Sequence, residues 1–223
     1  MVNYIVSIAQ ELLPFFGAGF AFIWGLTKFY KHKVALYGNL ILSGIGCFAL
    51  GKLFGAVSFL TAGGLPEHFH VGYLGTFGCF LFIFSANFGQ MDSLIDDGDK
   101  SMSRYRILSL GAPLLIIAII IPAMLSAITL EMKIITIIMI IPVALASYYN
   151  VKHGIFPDMG FGFVKAIRPY NMCAFVMAVV SAISQVSEVM KINMVTFISD
   201  IMVAALCIAM IMSAERGTRL WKM

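Results

Sequence analysis

The sequence predicts an all-α polytopic membrane protein with seven transmembrane helices, the N-terminus outside and the C-terminus in the cytoplasm. Three observations lead to this prediction. Of the 223 residues, 61% are hydrophobic and 12% are charged, against roughly 25% charged in an average soluble domain. Apolar stretches of about 20 residues, the length that spans a bilayer, recur seven times. Basic residues collect at alternate ends of these stretches. We therefore expect residues 1–223 to be a single transmembrane domain, with no soluble domain.

The seven predicted spans are joined by short loops. They cover residues 4–28, 35–60, 71–93, 106–129, 132–150, 168–189 and 194–214. The first span is not a cleaved signal peptide, because no basic flank precedes it and its apolar stretch continues too far. The second and third spans are rich in glycine, which lets helix backbones approach closely in lipid. We expect these two to pack together inside the bundle and the aliphatic fourth span to face lipid.

The positions of the basic residues set the orientation. One side holds twelve of the fifteen: Lys28, Lys31, Lys33, Lys100, Arg104, Arg106, Lys152, Lys165, Arg168, Arg216, Arg219 and Lys222. The opposite side holds Lys133 and Lys191, and Lys52 lies within a span. Because basic residues are enriched in cytoplasmic loops, the first side is predicted to be cytoplasmic. A multi-pass protein of the plasma membrane is the expected setting.

Short matches suggest an internal repeat that pairs spans one to three with spans five to seven and leaves the fourth as a linker. Cys79 and the Ser-Ala pair at 85–86 match Cys207 and the pair at 213–214. Further matches are Tyr-Gly-Asn at 37–39 with Pro-Tyr-Asn at 169–171, and Lys-His at 31–32 with Lys-His at 152–153. Both triplets would start outside, which makes a parallel 3+1+3 repeat. Parallel repeats occur in secondary transporters, whose substrate sites lie between the repeats.

Ionisable residues within spans are the first candidate site residues, because a charge inside the membrane is costly. Glu11, Lys52, Glu188 and Asp200 all fall at a similar depth in the predicted outer half. They are expected either to line an outward-facing polar cavity or to fix helix registry through a salt bridge between Lys52 and Glu11 or Asp200.

Uncharged polar residues form the second set. Ser181, Ser184, Gln185 and Glu188 follow helical spacing and share one face, which must point to protein or water. The predicted substrate-binding residues are Glu11, Lys52, Asn87, Gln185, Glu188 and Asp200.

Two loops are weaker candidates for ion binding. Glu67, His68 and His70 in an outer loop offer metal-ligand chemistry, but no second histidine cluster on that side completes a site. The acidic loop 92–100 lacks the ligand order of a calcium loop and is predicted to be a solvated turn. No metal, cofactor or nucleic acid partner is predicted.

Two architectural resemblances bear on function. The seven-span plan resembles microbial rhodopsins and G-protein-coupled receptors, but a retinal Schiff base needs a lysine in the seventh span and residues 198–214 contain none. The 3+1+3 plan resembles small sugar and vitamin transporters of the SWEET type at the level of architecture, without a diagnostic motif. The motifs of ATP-driven transport and of common hydrolases are absent.

The leading hypothesis is a small secondary transporter or facilitator of a small organic solute. A membrane sensor or receptor-like module that binds a small ligand is the first alternative. An intramembrane metal-dependent enzyme using Glu67, His68, His70 and Asp200 is the second. The expected partners are the lipid bilayer and a small-molecule ligand or substrate, with a partner protein or a second copy of the chain left open.

Overall fold

The computed structural model describes residues 2–32, 36–65, 69–126, 128–158 and 162–221. These residues are helical apart from short connections, and they contain no strand. The helices are α1 (Val2–His32), α2 (Leu36–Ala62), α3 (Val71–Ala86), α4 (Asp92–Ile95), α5 (Ser103–Ser109), α6 (Gly111–Leu125), α7 (Leu130–Ile155), α8 (Phe163–Val189) and α9 (Asn193–Trp221). Seven helical segments of the described chain are long and apolar enough to cross a membrane. This confirms the predicted number of spans.

Several span ends differ from the prediction, and three of them reach charged residues. The fourth segment begins at Lys100 instead of 106, the fifth runs to Ile155 instead of 150, and the sixth begins near Phe163 instead of 168. The sequence-based limits stop where charged residues appear. Two of the segments continue through charges that have partners, since Arg106 pairs with Asp96 and Lys152 with Asp92.

Six of the seven spanning segments form a closed ring. Each of α1, α2, α3, α7, α8 and α9 packs against the next, and α9 returns to α1. Helix α6 lies outside this ring against α7 and α8. It buries Ala112, Ile116, Ile120 and Ala123 on one face, whereas Leu114 and other aliphatic side chains elsewhere on it are exposed. Such a one-sided helix fits the predicted lipid-facing position.

Glycines bring α2 and α3 into backbone contact, as their composition predicts. A Cβ added to Gly51 would lie 2.8 Å from both the Cα of Gly75 and the carbonyl oxygen of Gly72. Any larger residue at position 51 would therefore push the two helices apart. This contact fixes the face that α2 presents to the centre of the ring.

The end of α3 is irregular. A π-helical turn, Asn87–Met91, continues α3 directly into α4. The chain then loops back through a short 3₁₀ turn, Lys100–Met102, into α5. Because π-turns change the direction of the side chains that follow them and often occur at functional sites, this turn sets where Asp92 and Asp96 point.

Candidate functional site

A polar cavity of about 70 Å³ lies between the helices at the predicted outer end of the bundle. Its wall is built from five helices and the loop before α3. The lining residues are Glu11, Phe48, Gly51, Lys52, Gly55, Leu65, His70, Gly72, Tyr73, Thr76, Ser181, Ser184, Gln185, Glu188, Asp200 and Val203. Five of the six predicted substrate-binding residues are thus brought to one cavity.

Lys52 and Glu11 form an ion pair across the α1–α2 contact. Lys52 Nζ lies 3.4 Å from each of the two carboxylate oxygens of Glu11. The exposed fractions of the two side chains are 19% and 11%, so neither charge is fully hydrated. Gly55, one turn of helix from Lys52, provides the space for the carboxylate, because a Cβ there would lie 2.7 Å from Glu11 Cδ. Of the two acids proposed from the sequence, Glu11 is therefore the one in direct contact.

Asp200 and Glu188 complete the ionic wall from the opposite side of the cavity. Asp200 is buried, and its Oδ1 accepts a hydrogen bond of 2.9 Å from the Ser184 hydroxyl. Glu188 is exposed towards the outer end of α8. The polar face predicted for α8 does line the cavity, since Ser181, Ser184, Gln185 and Glu188 all belong to its wall.

Two cavity residues carry a buried polar atom that has no hydrogen-bond partner among the residues that the structure describes, His70 at Nδ1 and Ser181 at its hydroxyl. Ser181 is 5% exposed. A buried hydroxyl without a partner costs about 1–3 kcal/mol. A group that enters the cavity and bonds to Ser181 would recover part of that cost.

His70 closes the cavity from the loop before α3. Its ring stacks on Tyr73 at 4.2 Å and on Phe54 at 5.5 Å between centroids. Partial burial lowers the pKa of His70, which favours the neutral ring at neutral pH. The other two metal candidates, Glu67 and His68, lie outside the described residues. Within the described ranges, no group of three His, Cys, Asp or Glu side chains could hold a metal ion.

A second and larger cavity, of about 270 Å³, adjoins the first between α3, α6, α7 and α8. The apolar part of its wall includes Ile120, Ala123, Ile135 and Met139. The residues common to both cavities are Leu65, His70, Tyr73, Gln185 and Glu188. The two cavities are therefore neighbouring chambers of one site, one polar and one apolar.

Asn87, the remaining predicted substrate-binding residue, is absent from the walls of both chambers. It lies eleven residues beyond Thr76, which is about 16 Å along a helix. Its Nδ2 donates to Asn150 Oδ1 on α7 with an N···O distance of 2.5 Å, and both residues are fully buried. Asn87 thus joins α3 to α7 near the predicted cytoplasmic end.

A buried ionic cluster follows Asn87 at that end. Lys152 Nζ lies 2.6 Å from Asp92 Oδ1 and 2.7 Å from Asp96 Oδ2. Arg106 Nε donates to Asp96 Oδ2 at 2.8 Å, and His153 Nε2 lies 3.1 Å from Asp92 Oδ1. These bonds hold the pKa of Asp96 well below its ordinary value, with Arg106 as the main cause and Lys152 as the second. The cluster ties α4, α5 and α7 together.

In comparisons with known proteins, no family model, no curated protein and no solved structure matches the chain. A functional assignment therefore depends on the geometry of the two chambers and of the ionic cluster around Lys152.

The ionic cluster around Lys152 was not predicted from the sequence. The prediction of a solvated turn for residues 92–100 is wrong for Asp96, whose side chain is 7% exposed. Asp92 and Asp96 are spaced i, i+4, and Lys152 and His153 end a span on the same predicted side. Opposite charges at the ends of two spans on one side would have indicated pairing between them.

Proposed function

We propose that this multi-pass membrane protein is a small secondary transporter or facilitator of a small organic solute in the plasma membrane. The observation that carries the proposal is the position of the polar chamber. Its ionic wall combines Glu11 and Lys52 from the first three spans with Glu188 and Asp200 from the last two. Secondary transporters built from repeats bind substrate between the two halves in this way.

The packing order of the helices supports a parallel repeat. In such a repeat, α1, α2 and α3 correspond to α7, α8 and α9. The contact between α1 and α9 then corresponds to the contact between α7 and α3, and both contacts occur. Residues of one matched motif are also buried alike. Cys79 and Cys207 are both 0% exposed, and Ala86 and Ala214 are both buried. In the other motif the burial differs, because Asn39 is exposed and Asn171 is buried.

Buried polar groups in the predicted cytoplasmic half support a second conformation. The hydroxyls of Tyr37 and Tyr170 and the side-chain amide of Asn171 have no partner among the described residues. Tyr37 precedes Lys52 on α2 by about 22 Å of helix, so these groups lie far from the polar chamber. Buried polar groups are normally hydrogen-bonded. A transporter that opens to the cytoplasm would hydrate all three groups, which explains why they are polar.

Proteoliposome uptake tests the proposal. A panel of labelled amines, amino acids, sugars and carboxylic acids is offered to vesicles with the purified wild type, with Lys52→Met and with no protein. We expect saturable uptake of one class by the wild type and slower uptake by Lys52→Met, which loses the ion pair with Glu11 that holds α1 against α2 at the chamber. The matched control Lys165→Met removes an exposed lysine from α8 and should retain uptake. Saturable binding with no uptake of any panel member would refute transport.

A sensor is the second candidate, and helix α9 favours it. This helix runs without interruption from Asn193 to Trp221 and carries Asp200 in the polar chamber. Near its other end, Arg219 pairs with Glu215. A ligand that moves Asp200 would therefore displace the predicted cytoplasmic end of the same helix. Ligand-dependent change in spin-label distances at that end, without uptake, would establish sensing in place of transport.

A further inference from the structure

The two chambers share one wall, so a single molecule occupying both must be polar at one end and apolar at the other. The apolar chamber alone, at about 270 Å³, is close to the lower limit of about 300 Å³ for small-ligand pockets. An apolar body the size of one aromatic ring with a short chain fits this space. The polar head would then lie beside Glu188, which belongs to both walls.

The net charge of the polar chamber favours one sign of charge on the polar head. Its wall carries three carboxylates, Glu11, Glu188 and Asp200, against one ammonium, Lys52. Lys52 already contacts Glu11, and Lys191 belongs to the wall of the adjoining apolar chamber, so the two chambers together keep one acidic group in excess. His70 does not offset this charge, because burial lowers its pKa. An anionic head would meet net repulsion, whereas an ammonium head would be attracted.

Uncharged side chains of the chamber wall also favour an ammonium head. The Ser181 hydroxyl, which has no partner among the described residues, can accept a hydrogen bond from an N–H donor. Tyr73 lines both chambers, and aromatic rings attract ammonium groups. Ser181 indicates a ligand independently of the acidic residues. It is buried, it lines the chamber, and its hydroxyl lacks a partner within the described part of the chain.

We infer that the solute is a small amphiphilic amine, with its ammonium group between Glu188, Asp200 and Ser181 and its apolar body in the chamber lined by Ala123 and Met139. This inference rests on the proposed function, because it names the substrate class of the same site.

Binding to the unmodified protein is the primary test. The probes are 2-phenylethylamine, 3-phenylpropionate and 2-phenylethanol, which share a phenylalkyl body and differ in the charge of the head. Methylamine has the head without the body. Each is titrated into wild-type protein in nanodiscs, with empty nanodiscs as the control for partition into lipid. We expect 2-phenylethylamine to bind at least about tenfold more tightly than each of the other three.

Variants locate the bound amine. Glu188→Gln and Asp200→Asn should each weaken 2-phenylethylamine binding about tenfold, whereas Asp97→Asn in the exposed cytoplasmic loop should not. Ala123→Phe fills the apolar chamber and should abolish binding. Ala118→Phe adds the same volume to the exposed face of α6 and should leave binding unchanged.

The outcomes separate this inference from the proposed function. Tight binding of the amine without uptake would refute transport and leave the ligand class standing. Saturable uptake of a carboxylate or sugar with no preference for the amine would support transport and overturn the amine inference. Equal affinity for the amine, the carboxylate and the alcohol in the wild type would overturn it too, whichever variants fold.

Discussion

Lys52 Nζ lies 3.4 Å from both carboxylate oxygens of Glu11, and this contact joins α1 to α2 at the polar chamber. We expect the pair to have a structural role whatever the solute is. Removing one partner leaves the other charge poorly solvated, and this is the costlier half of the interaction.

Lys52→Met should therefore lower stability by roughly 1–3 kcal/mol, the cost of leaving a buried polar group unpaired. Thermal unfolding of the purified protein measures the effect. The double variant Lys52→Met/Glu11→Gln should regain most of the loss, since the orphan charge is gone. A double variant no more stable than Lys52→Met would show that the pair does not stabilise the fold.

Gly51→Ala should destabilise the bundle by about 1–3 kcal/mol, the usual cost of overpacking. The reason is the 2.8 Å approach of the added Cβ to Gly75 Cα. Gly19→Ala is the matched control, because a Cβ at Gly19 meets nothing within 4 Å. Equal melting temperatures for the two variants would contradict the close contact of α2 and α3.

Asp96→Asn should destabilise the protein at neutral pH and progressively less in acid. The folded-state pKa of Asp96 is depressed below its ordinary 3.8 by Arg106 and Lys152, so its stabilisation is present above that value and is lost as pH falls through the folded pKa. Melting temperatures of wild type and variant, compared from neutral to acidic pH, should converge. Asp97→Asn, in the exposed part of the same loop, should melt like the wild type throughout. If the difference in melting temperature between wild type and Asp96→Asn stayed the same at every pH, the effect would not come from the charge of Asp96.

Tyr37→Phe should raise the melting temperature and slow uptake. The hydroxyl has no partner among the described residues, so its removal relieves a desolvation cost of about 1–3 kcal/mol. The same hydroxyl would be hydrated in the conformation open to the cytoplasm, which the variant therefore disfavours. Tyr105→Phe removes a hydroxyl that Arg104 contacts at the surface and should change neither property. Faster uptake by Tyr37→Phe would contradict the proposed second conformation.

The predicted orientation is tested by labelling with an impermeant thiol reagent after the four native cysteines are replaced. Ser101→Cys should react from the cytoplasmic side and Glu67→Cys from outside, because basic residues cluster with Ser101. Labelling of Ser101→Cys in intact cells would reverse the assignment.

The number of spans, the polar face of α8 and the close packing of α2 with α3 could be predicted from the sequence alone. These are local properties: apolar length, helical spacing and glycine content depend on residues a few positions apart. The tertiary structure decided that Lys52 contacts Glu11 while Asp200 bonds to Ser184. It also placed Asn87 beside Asn150 and gathered Asp92, Asp96 and Lys152 into one cluster. Such pairings depend on how each helix is rotated about its axis and on which helices are neighbours, and that is set by packing across the whole ring.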